Sequence, residues 1–183
     1  MLGNDVVDLA DAVGRHPRFD ARVFATTEQA LIAADPRLRG VLWAAKESAY
    51  KAARKEDSRT TFSPSRFVVY LDDARRATVT AGDRRFTVEL AHGDGWVHAV
   101  ARGAGDPPAS VCAAVEALAP GADESHAVRR LALATIERVT GIAGLEVVRD
   151  GRVPSLSASG RPVAADLSLS HHGRVVAFAC VLR

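Results

Sequence analysis

The sequence has few cysteines, few aromatic residues and no excess of charge of one sign. Its 183 residues include two cysteines and 5% aromatic residues, with 24 Lys and Arg against 22 Asp and Glu. Two cysteines, Cys112 and Cys180, each among apolar neighbours, do not make a disulfide scaffold and are typical of a reducing compartment. The balanced charge gives no field that would hold nucleic acid nonspecifically. We expect no nucleic-acid partner.

Long apolar runs and a secretion signal are also missing. The longest uncharged apolar run, residues 175–182, is far shorter than the ~18 residues of a membrane helix. The first residues carry Asp5, Asp8 and Asp11, whereas a secretion signal starts with a cationic flank and an apolar stretch. These patterns predict a cytoplasmic protein that makes no membrane contact.

The first half of the chain combines helices with short strands. Residues 1–9 are β-prone, and residues 26–34 predict a short helix that ends before Pro36. Apolar residues recur at spacings of three and four over residues 39–55, which predicts the first long helix. After Pro64 the period changes to two in four short runs, which predicts an antiparallel meander.

The second half has a similar order. The Gly- and Pro-rich segment 103–109 is the best candidate boundary. The apolar stretch 110–118 follows, and then a helix that Asp123 or Ser125 would cap and Gly141 would end. Short strands complete the chain. The sequence therefore predicts an α+β protein with two domains or lobes, residues 1–105 and 106–183.

Three clusters carry chemistry. The first is Trp43-Ala-Ala-Lys46-Glu47-Ser48-Ala-Tyr50-Lys51. Glu47 and Lys51 are four residues apart and share one face of the helix, so a carboxylate and an ammonium project together. An ordinary solvated Glu-Lys pair would have the same spacing.

The second cluster is Gly3-Asn4-Asp5-Val6-Val7-Asp8. Its carboxylates lie beside a glycine that would allow another backbone or a ligand to approach closely. Mg²⁺ is commonly bound by one or two carboxylates together with water and substrate phosphates. An ordinary cap or turn role for Asp5 is the alternative.

The third cluster is Leu167-Ser168-Leu169-Ser170-His171-His172-Gly173. Hydroxyls, imidazoles and backbone amides at a strand end can bind phosphate oxygens, although the same residues also suit a plain turn. No third histidine or cysteine is placed to complete a zinc site. The sequence contains neither a dinucleotide-binding fingerprint nor a phosphate-binding Gly-Lys-Ser/Thr loop, so NAD and ATP are not expected.

Together the clusters resemble the 4′-phosphopantetheinyl transferase superfamily. The family pattern of Gly-x-Asp, Trp-x-x-Lys-Glu-(Ala/Ser)-x-x-Lys and Ser-x-Ser-His stands here at residues 3–5, 43–51 and 168–171. Phe24 and Glu28 match the family's Phe-x-x-x-Glu. The resemblance covers residues 1–55 and 165–183 well and the middle of the chain poorly.

The resemblance implies a holo-carrier-protein synthase. Such an enzyme transfers the phosphopantetheine arm of coenzyme A, its co-substrate, to a serine of an apo acyl or peptidyl carrier protein and releases adenosine 3′,5′-bisphosphate. By this analogy Asp5 and Glu47 bind Mg²⁺, with Asp8 as a further or water-held ligand, and Glu47 and Lys51 are catalytic. The coenzyme-binding residues it implies are Lys46, Lys51, Ser168, Ser170 and His171.

The motif order suggests how the site is assembled. The Ser-His segment comes last, as in the short trimeric synthases, but the chain is longer than theirs. We expect two α+β lobes, related by a pseudo-twofold axis, that form one site between them in a monomer. In the alternative, residues 66–110 are an insertion and the protein is a trimer.

Two other functions remain open at the level of sequence. One is a relative that binds coenzyme A or carrier protein without catalysis, and the other is a coenzyme A-dependent acyltransferase that uses His171 as its base. For the transferase, we expect an acidic carrier to be attracted by a basic helix surface comprising Lys46, Lys51, Arg54, Lys55 and Arg59.

Overall fold

The computed structural model describes residues 1–11, 13, 16, 18–107, 109–151 and 153–183, with only the backbone of Asp150. The helices are α1 (Phe19–Val23), α2 (Thr26–Ala34), α3 (Leu38–Glu56) and α4 (Glu124–Thr140), and one 3₁₀ turn spans Pro64–Arg66. The strands are β1 (Leu2–Asp8), β2 (Val68–Asp73), β3 (Arg76–Ala81), β4 (Arg84–Gly93), β5 (Trp96–Gly103), β6 (Cys112–Ala117), β7 (Leu145–Asp150), β8 (Val153–Ala158), β9 (Arg161–Val163), β10 (Ala165–His172) and β11 (Val175–Leu182).

The first half is an antiparallel sheet covered on one face by α3. Its strand order is β1-β5-β4-β3-β2, and the predicted meander accounts for four of the five strands. Small residues on α3 pack against this sheet and leave little room between helix and strands. The buried contacts include Ala45, Ala49 and Ala52 of α3 with Val7 of β1 and Ala99 of β5. This close packing positions the helix face that carries the Trp-x-x-Lys-Glu segment.

The second half contains α4 and two three-stranded sheets, β10-β11-β6 and β7-β8-β9. As predicted, Asp123 caps α4, because its side chain accepts a hydrogen bond from the His126 amide. Gly141 ends the helix with a φ of 72°, in the left-handed region that favours glycine. Val128, Ala132 and Ile136 bury the inner face of α4 against β11 and β10.

The two halves meet where β1 lies against β10 and β11. Side chains alternate along a strand, so Gly3, Asp5 and Val7 face α3 while Leu2, Asn4 and Val6 face the second half. Leu2 and Val6 pack with small residues of β11, among them Ala177 and Ala179. Strand β1 is therefore buried on both faces and belongs to the core of both halves.

The structure confirms the α+β class. Each half has its first strand beside its last, β1 beside β5 and β6 beside β11, with a long helix packed on the sheet. The division into lobes at residues 105 and 106 stays a prediction. In the described part of the chain, none of the helices has the length and apolar character needed to cross a bilayer.

Candidate active site

Gly3 allows β1 to approach α3 closely enough to bring their polar side chains together. A Cβ at position 3 would lie 2.1 Å from the Ser48 carbonyl oxygen and 2.5 Å from the Ala52 backbone nitrogen. Any larger residue would push the strand away from the helix. Asp5, two residues further along β1, points in the same direction, toward the face of α3 that carries Glu47 and Lys51.

Asp5, Glu47 and Lys51 converge between β1 and α3. Lys51 Nζ donates to Asp5 Oδ1 at 2.8 Å and to the Asn4 carbonyl oxygen at 3.0 Å. Burial raises the pKa of Asp5 above its ordinary value, and the Lys51 ammonium opposes that shift. Burial, and then the negative charge of Asp5, raise the pKa of Glu47 to about 7. These two carboxylates, of which Asp5 disfavours the charge of Glu47, and the ammonium of Lys51 form the centre of the site.

The outer edge of β1 is closed by side chains of β10. The backbone amide of Leu2 donates to Asp166 Oδ2 at 2.7 Å, that of Asn4 to Ser168 Oγ at 3.0 Å, and that of Asp8 to His172 Nδ1 at 3.2 Å. The partners are 164 residues apart in every case, so β1 and β10 run parallel and in constant register. Side chains of β10 thus take the place of a neighbouring strand's carbonyls. We call these three contacts the side-chain ladder.

Ser168 and Ser170 lie at the contact between β1 and β10, which we call the seam. They are 3% and 4% exposed, and the Ser170 hydroxyl accepts from Asn4 Nδ2 at 3.1 Å. Asn4 Nδ2 also lies 2.9 Å from Nε2 of His98, whose pKa burial lowers to about 4. The hydroxyls predicted to bind the coenzyme are therefore engaged in holding β1.

Lys55 lies one turn beyond Lys51 on α3 and donates hydrogen bonds to both halves of the chain. Its Nζ donates to Asp166 Oδ1 and the Leu2 carbonyl, each at 2.6 Å, and to the Leu167 carbonyl at 2.8 Å. Both members of the Lys55–Asp166 pair are 8% exposed. Burial lowers the pKa of Lys55, and the Asp166 charge opposes the shift. Sequence reasoning gave neither residue a role in the site. Polar residues alternate at Asp166, Ser168 and Ser170, and this alternation is the sequence pattern that could have indicated Asp166.

The structure does not bring Asp8 to the centre. Its carboxylate accepts Arg174 Nε at 2.7 Å and Arg174 Nη2 at 2.8 Å, and it also accepts the backbone amides of Arg174 and Ala10. These bonds, chiefly those from the Arg174 side chain, hold the pKa of Asp8 far below its ordinary range. Both oxygens of Asp8 are thus occupied by donors, and a role for Asp8 as a further or water-held metal ligand stays a prediction.

Lys46 also lies away from the centre. Its side chain is 0% exposed. The ammonium donates to Glu28 Oε2 at 2.8 Å, to the Pro64 carbonyl at 3.2 Å and to the Phe67 carbonyl. Glu28 also accepts the backbone amides of Ala25 and Val69. The Phe-x-x-x-Glu and Lys-Glu motifs therefore meet in the core, and the predicted contact of Lys46 with the coenzyme stays a prediction.

The predicted basic surface on α3 is consequently absent as a single patch. Lys46 is enclosed, Lys51 and Lys55 point inward to carboxylates, and the exposed Arg59 pairs with Asp57. Arg54 donates to the Tyr50 hydroxyl at 2.6 Å. Sequence spacing placed these cations on one helix and its following turn, but tertiary pairing directs them to different partners.

His171 lies on the opposite face of β10 from the ladder, because side chains alternate along the strand. Its Nδ1 is 2.7 Å from Glu124 Oε2 at the start of α4. It lines a depression of about 270 Å³ together with Ser125, Arg129 and Arg149. Arg129 and Arg149 thus add two cations beside the imidazole of His171, which is the residue of this cluster that the sequence predicted. The three positions are far apart in the sequence, so no local pattern connects them.

A second cavity adjoins this depression and reaches Lys51. It has a volume of about 220 Å³ and lies between α3 and the second half, lined by Tyr50, Lys51 and Arg54 on one side. Pro154 and Leu169 line both cavities. We refer to the two together as the groove, which leads from the Lys51 ammonium to the cluster of His171, Arg129 and Arg149.

The donor set at the centre fits Mg²⁺. Within the described residues no three His, Cys, Asp or Glu side chains form a metal-binding group, so a cage made by the protein alone is not present there. Mg²⁺, however, is commonly held by one or two carboxylates, with substrate phosphates and water completing the coordination. Asp5 and Glu47 supply two such oxygen ligands. A cation would oppose the effect of burial, and then of the Asp5 charge, which together raise the pKa of Glu47.

Comparison with known proteins matches the first half of the chain to one family model. The model is that of the 4′-phosphopantetheinyl transferase superfamily, and the match covers residues 1–101. This segment includes β1, α3 and the sheet beneath them, and hence Asp5, Glu47 and Lys51. No curated protein and no solved structure gives a significant match. Because the matched segment is more than half of the 183 residues, the chain belongs to the 4′-phosphopantetheinyl transferase superfamily.

Proposed function

We propose that this protein transfers the phosphopantetheine arm of coenzyme A to a serine hydroxyl of an apo acyl or peptidyl carrier protein. Adenosine 3′,5′-bisphosphate is the second product. The observation that carries the proposal is the convergence of Asp5 with Glu47 and Lys51 beside a cationic groove. Membership of the transferase superfamily supports the reaction class.

Asp5 and Glu47 would hold Mg²⁺, and the groove residues would bind the coenzyme. Bound at these carboxylates, Mg²⁺ supplies positive charge to the diphosphate of coenzyme A. The Lys51 ammonium donates to an oxygen of the transferred phosphoryl group, where negative charge develops. At the far end of the groove, His171, Arg129 and Arg149 offer donors and charge to the 3′-phosphate of the coenzyme.

The transfer forms one bond and breaks one. The serine oxygen bonds to the phosphorus of the pantetheine phosphate, and the bond from that phosphorus to the bridging oxygen of the diphosphate breaks. The electron pair stays on adenosine 3′,5′-bisphosphate, and the serine proton passes to Glu47 directly or through a water molecule.

The direct test is modification of carrier proteins by the purified protein. With coenzyme A and Mg²⁺, we expect intact-mass spectrometry to find the phosphopantetheine adduct on at least one member of a panel of apo fatty-acid, polyketide and peptide-synthetase carriers. Glu47→Gln should lower kcat/KM by about 100-fold or more. Glu56→Gln, on the same helix and exposed, serves as the matched control and should retain activity.

The same assay separates the alternatives. A non-catalytic binder would leave every carrier unmodified. An acyltransferase with His171 as base would acylate an acceptor in the presence of EDTA and after Glu47→Gln, whereas the proposed transferase loses activity in both conditions. Absence of an adduct on all carrier classes would contradict the proposed function.

A further inference from the structure

Lys51 holds the position that a metal ion would need at Asp5. Its ammonium is 2.8 Å from Asp5 Oδ1 and 3.0 Å from the Asn4 carbonyl oxygen. The two contacts place a full positive charge between the strand and the helix, beside both carboxylates. Without a metal, Lys51 therefore acts as the counter-ion of the site.

We propose that Lys51 is an exchangeable counter-ion, which a divalent cation must displace from Asp5 and which then becomes free to bind the coenzyme's phosphate. This inference rests on the proposed function. It adds that one exchange couples the two events: the metal binds Asp5 as Lys51 leaves it.

The charges at the site favour the exchange. Ionised Asp5 and Glu47 carry two negative charges, which one ammonium only partly balances. A divalent cation that binds the same oxygens balances the two charges by itself, so an ammonium left within hydrogen-bonding distance of Asp5 would then be repelled. The incoming diphosphate is the nearest new anion, because Lys51 already lines the groove.

The neighbouring lysine shows why Lys51 is the one able to move. The Lys51 side chain is 29% exposed and its four-carbon stem is flexible. Lys55 is 8% exposed and donates three hydrogen bonds to groups on β1 and β10. Moving Lys55 would take a donor from three acceptors, which is costly where they are buried. Once a cation has taken Asp5, moving Lys51 takes a donor from the Asn4 carbonyl oxygen alone.

The exchange makes metal and coenzyme binding cooperative. A metal at Asp5 releases the ammonium that the phosphate needs, and a phosphate that takes up the ammonium clears Asp5 for the metal. Because such coupling is reciprocal, each ligand should tighten the binding of the other beyond their direct contact.

The test measures binding of Mn²⁺, a spectroscopic substitute for Mg²⁺, to the protein without substrates. We expect Lys51→Met to bind Mn²⁺ on the order of tenfold more tightly than wild type, since the competing charge is gone. Lys51→Arg keeps the charge and should stay close to wild type. Arg54→Met removes a cation from the same groove that contacts Tyr50 and not a carboxylate, and its affinity should change less than twofold.

The outcomes separate this inference from the proposed function. Equal or weaker Mn²⁺ binding by folded Lys51→Met overturns the inference alone. Wild type that binds no Mn²⁺, with or without coenzyme A, overturns the proposed metal site and the inference together. If Lys51→Met does not fold, a crystal structure of wild type with Mn²⁺ decides, because a Lys51–Asp5 contact still at hydrogen-bonding distance beside the bound ion overturns the exchange.

Discussion

Lys46 and Glu47 are adjacent in sequence but have opposite environments. Neighbouring residues of an α-helix point about 100° apart, so one side chain enters the core while the next faces β1. Lys46 is fully enclosed and paired with Glu28, whereas burial and then the charge of Asp5 raise the pKa of Glu47. The motif identifies both residues, and helical geometry then assigns them different roles.

The Lys46–Glu28 pair should be important for stability. We expect Glu28→Gln or Lys46→Met to lower the free energy of unfolding by about 3 to 5 kcal/mol, since each leaves a buried charge without its partner. Urea unfolding of the metal-free protein measures the free energy of unfolding. Arg37→Ala, which removes an ion pair with Asp35 from an arginine that is 83% exposed, should cost about 1 kcal/mol or less. A loss of that size in Glu28→Gln would contradict the structural role.

Glu47 should make the stability of the metal-free protein depend on pH. Its pKa rises from 4.5 unfolded to about 7 folded, so the folded state favours the protonated form. That contribution is complete below the unfolded pKa and is lost as pH rises through the folded value. Asp5, whose pKa is also raised, adds in the same direction.

His98, whose pKa burial lowers to about 4, contributes in the opposite direction over nearly the same range, so the Glu47 contribution is measured as a difference between two proteins. We expect the Tm of metal-free wild type to fall relative to that of Glu47→Gln between about pH 4.5 and pH 7. Mg²⁺ should restore more of the Tm near pH 8 than near pH 5, because it binds the ionised carboxylates. Scanning calorimetry across this range checks both expectations. A Tm difference between wild type and Glu47→Gln that does not change with pH would exclude this role of Glu47.

The sequence predicted the residues of the centre better than those of the seam. Glu47 and Lys51 are four apart on one helix, so their proximity follows from local geometry. Ser168, Ser170 and His171 follow an alternating strand, which predicts that the serines share a face opposite the histidine. Which face meets β1 depends on how the two halves pack, and no local pattern contains that information.

At the scale of elements, the side-chain ladder between β1 and β10 connects the two halves. An exposed strand edge presents unpaired amides and carbonyls, but here Asp166, Ser168 and His172 accept the amides. Lys51 and Lys55 donate to the Asn4 and Leu2 carbonyls from the helix side. The ladder and the two lysines thus hold β1 from both directions and, with it, Asp5.

Removing the Asp166 charge should loosen this seam. We expect Asp166→Asn to destabilise the protein by about 3 kcal/mol or more, because Lys55 is left buried without its counter-charge. Hydrogen exchange of the Leu2 amide should accelerate, as measured by NMR. Arg183→Ala is the control, since Arg183 is 3.8 Å from Asp166 and 57% exposed. Unchanged exchange in Asp166→Asn would show that the pair does not hold β1.

At the scale of the molecule, one chain brings β10 from its second half against β1 of its first. We propose that the protein is a monomer with a site completed within the chain. Light scattering coupled to size exclusion should give a mass near 19.4 kDa. A trimer of three times that mass would favour the alternative, in which residues 66–110 are an insertion.

Strands β1 and β10 are neighbours in the fold but far apart in the chain, so they are not synthesised at the same time. The ribosome makes β1 first, but Asp166, Ser168 and His172 follow only 164 residues later. Until then the nascent chain has an open strand edge, which is an aggregation hazard. Ladder closure is therefore a late event of folding, and a stalled or prematurely ended translation product lacks the partners of β1 and should be a substrate for chaperones and proteases.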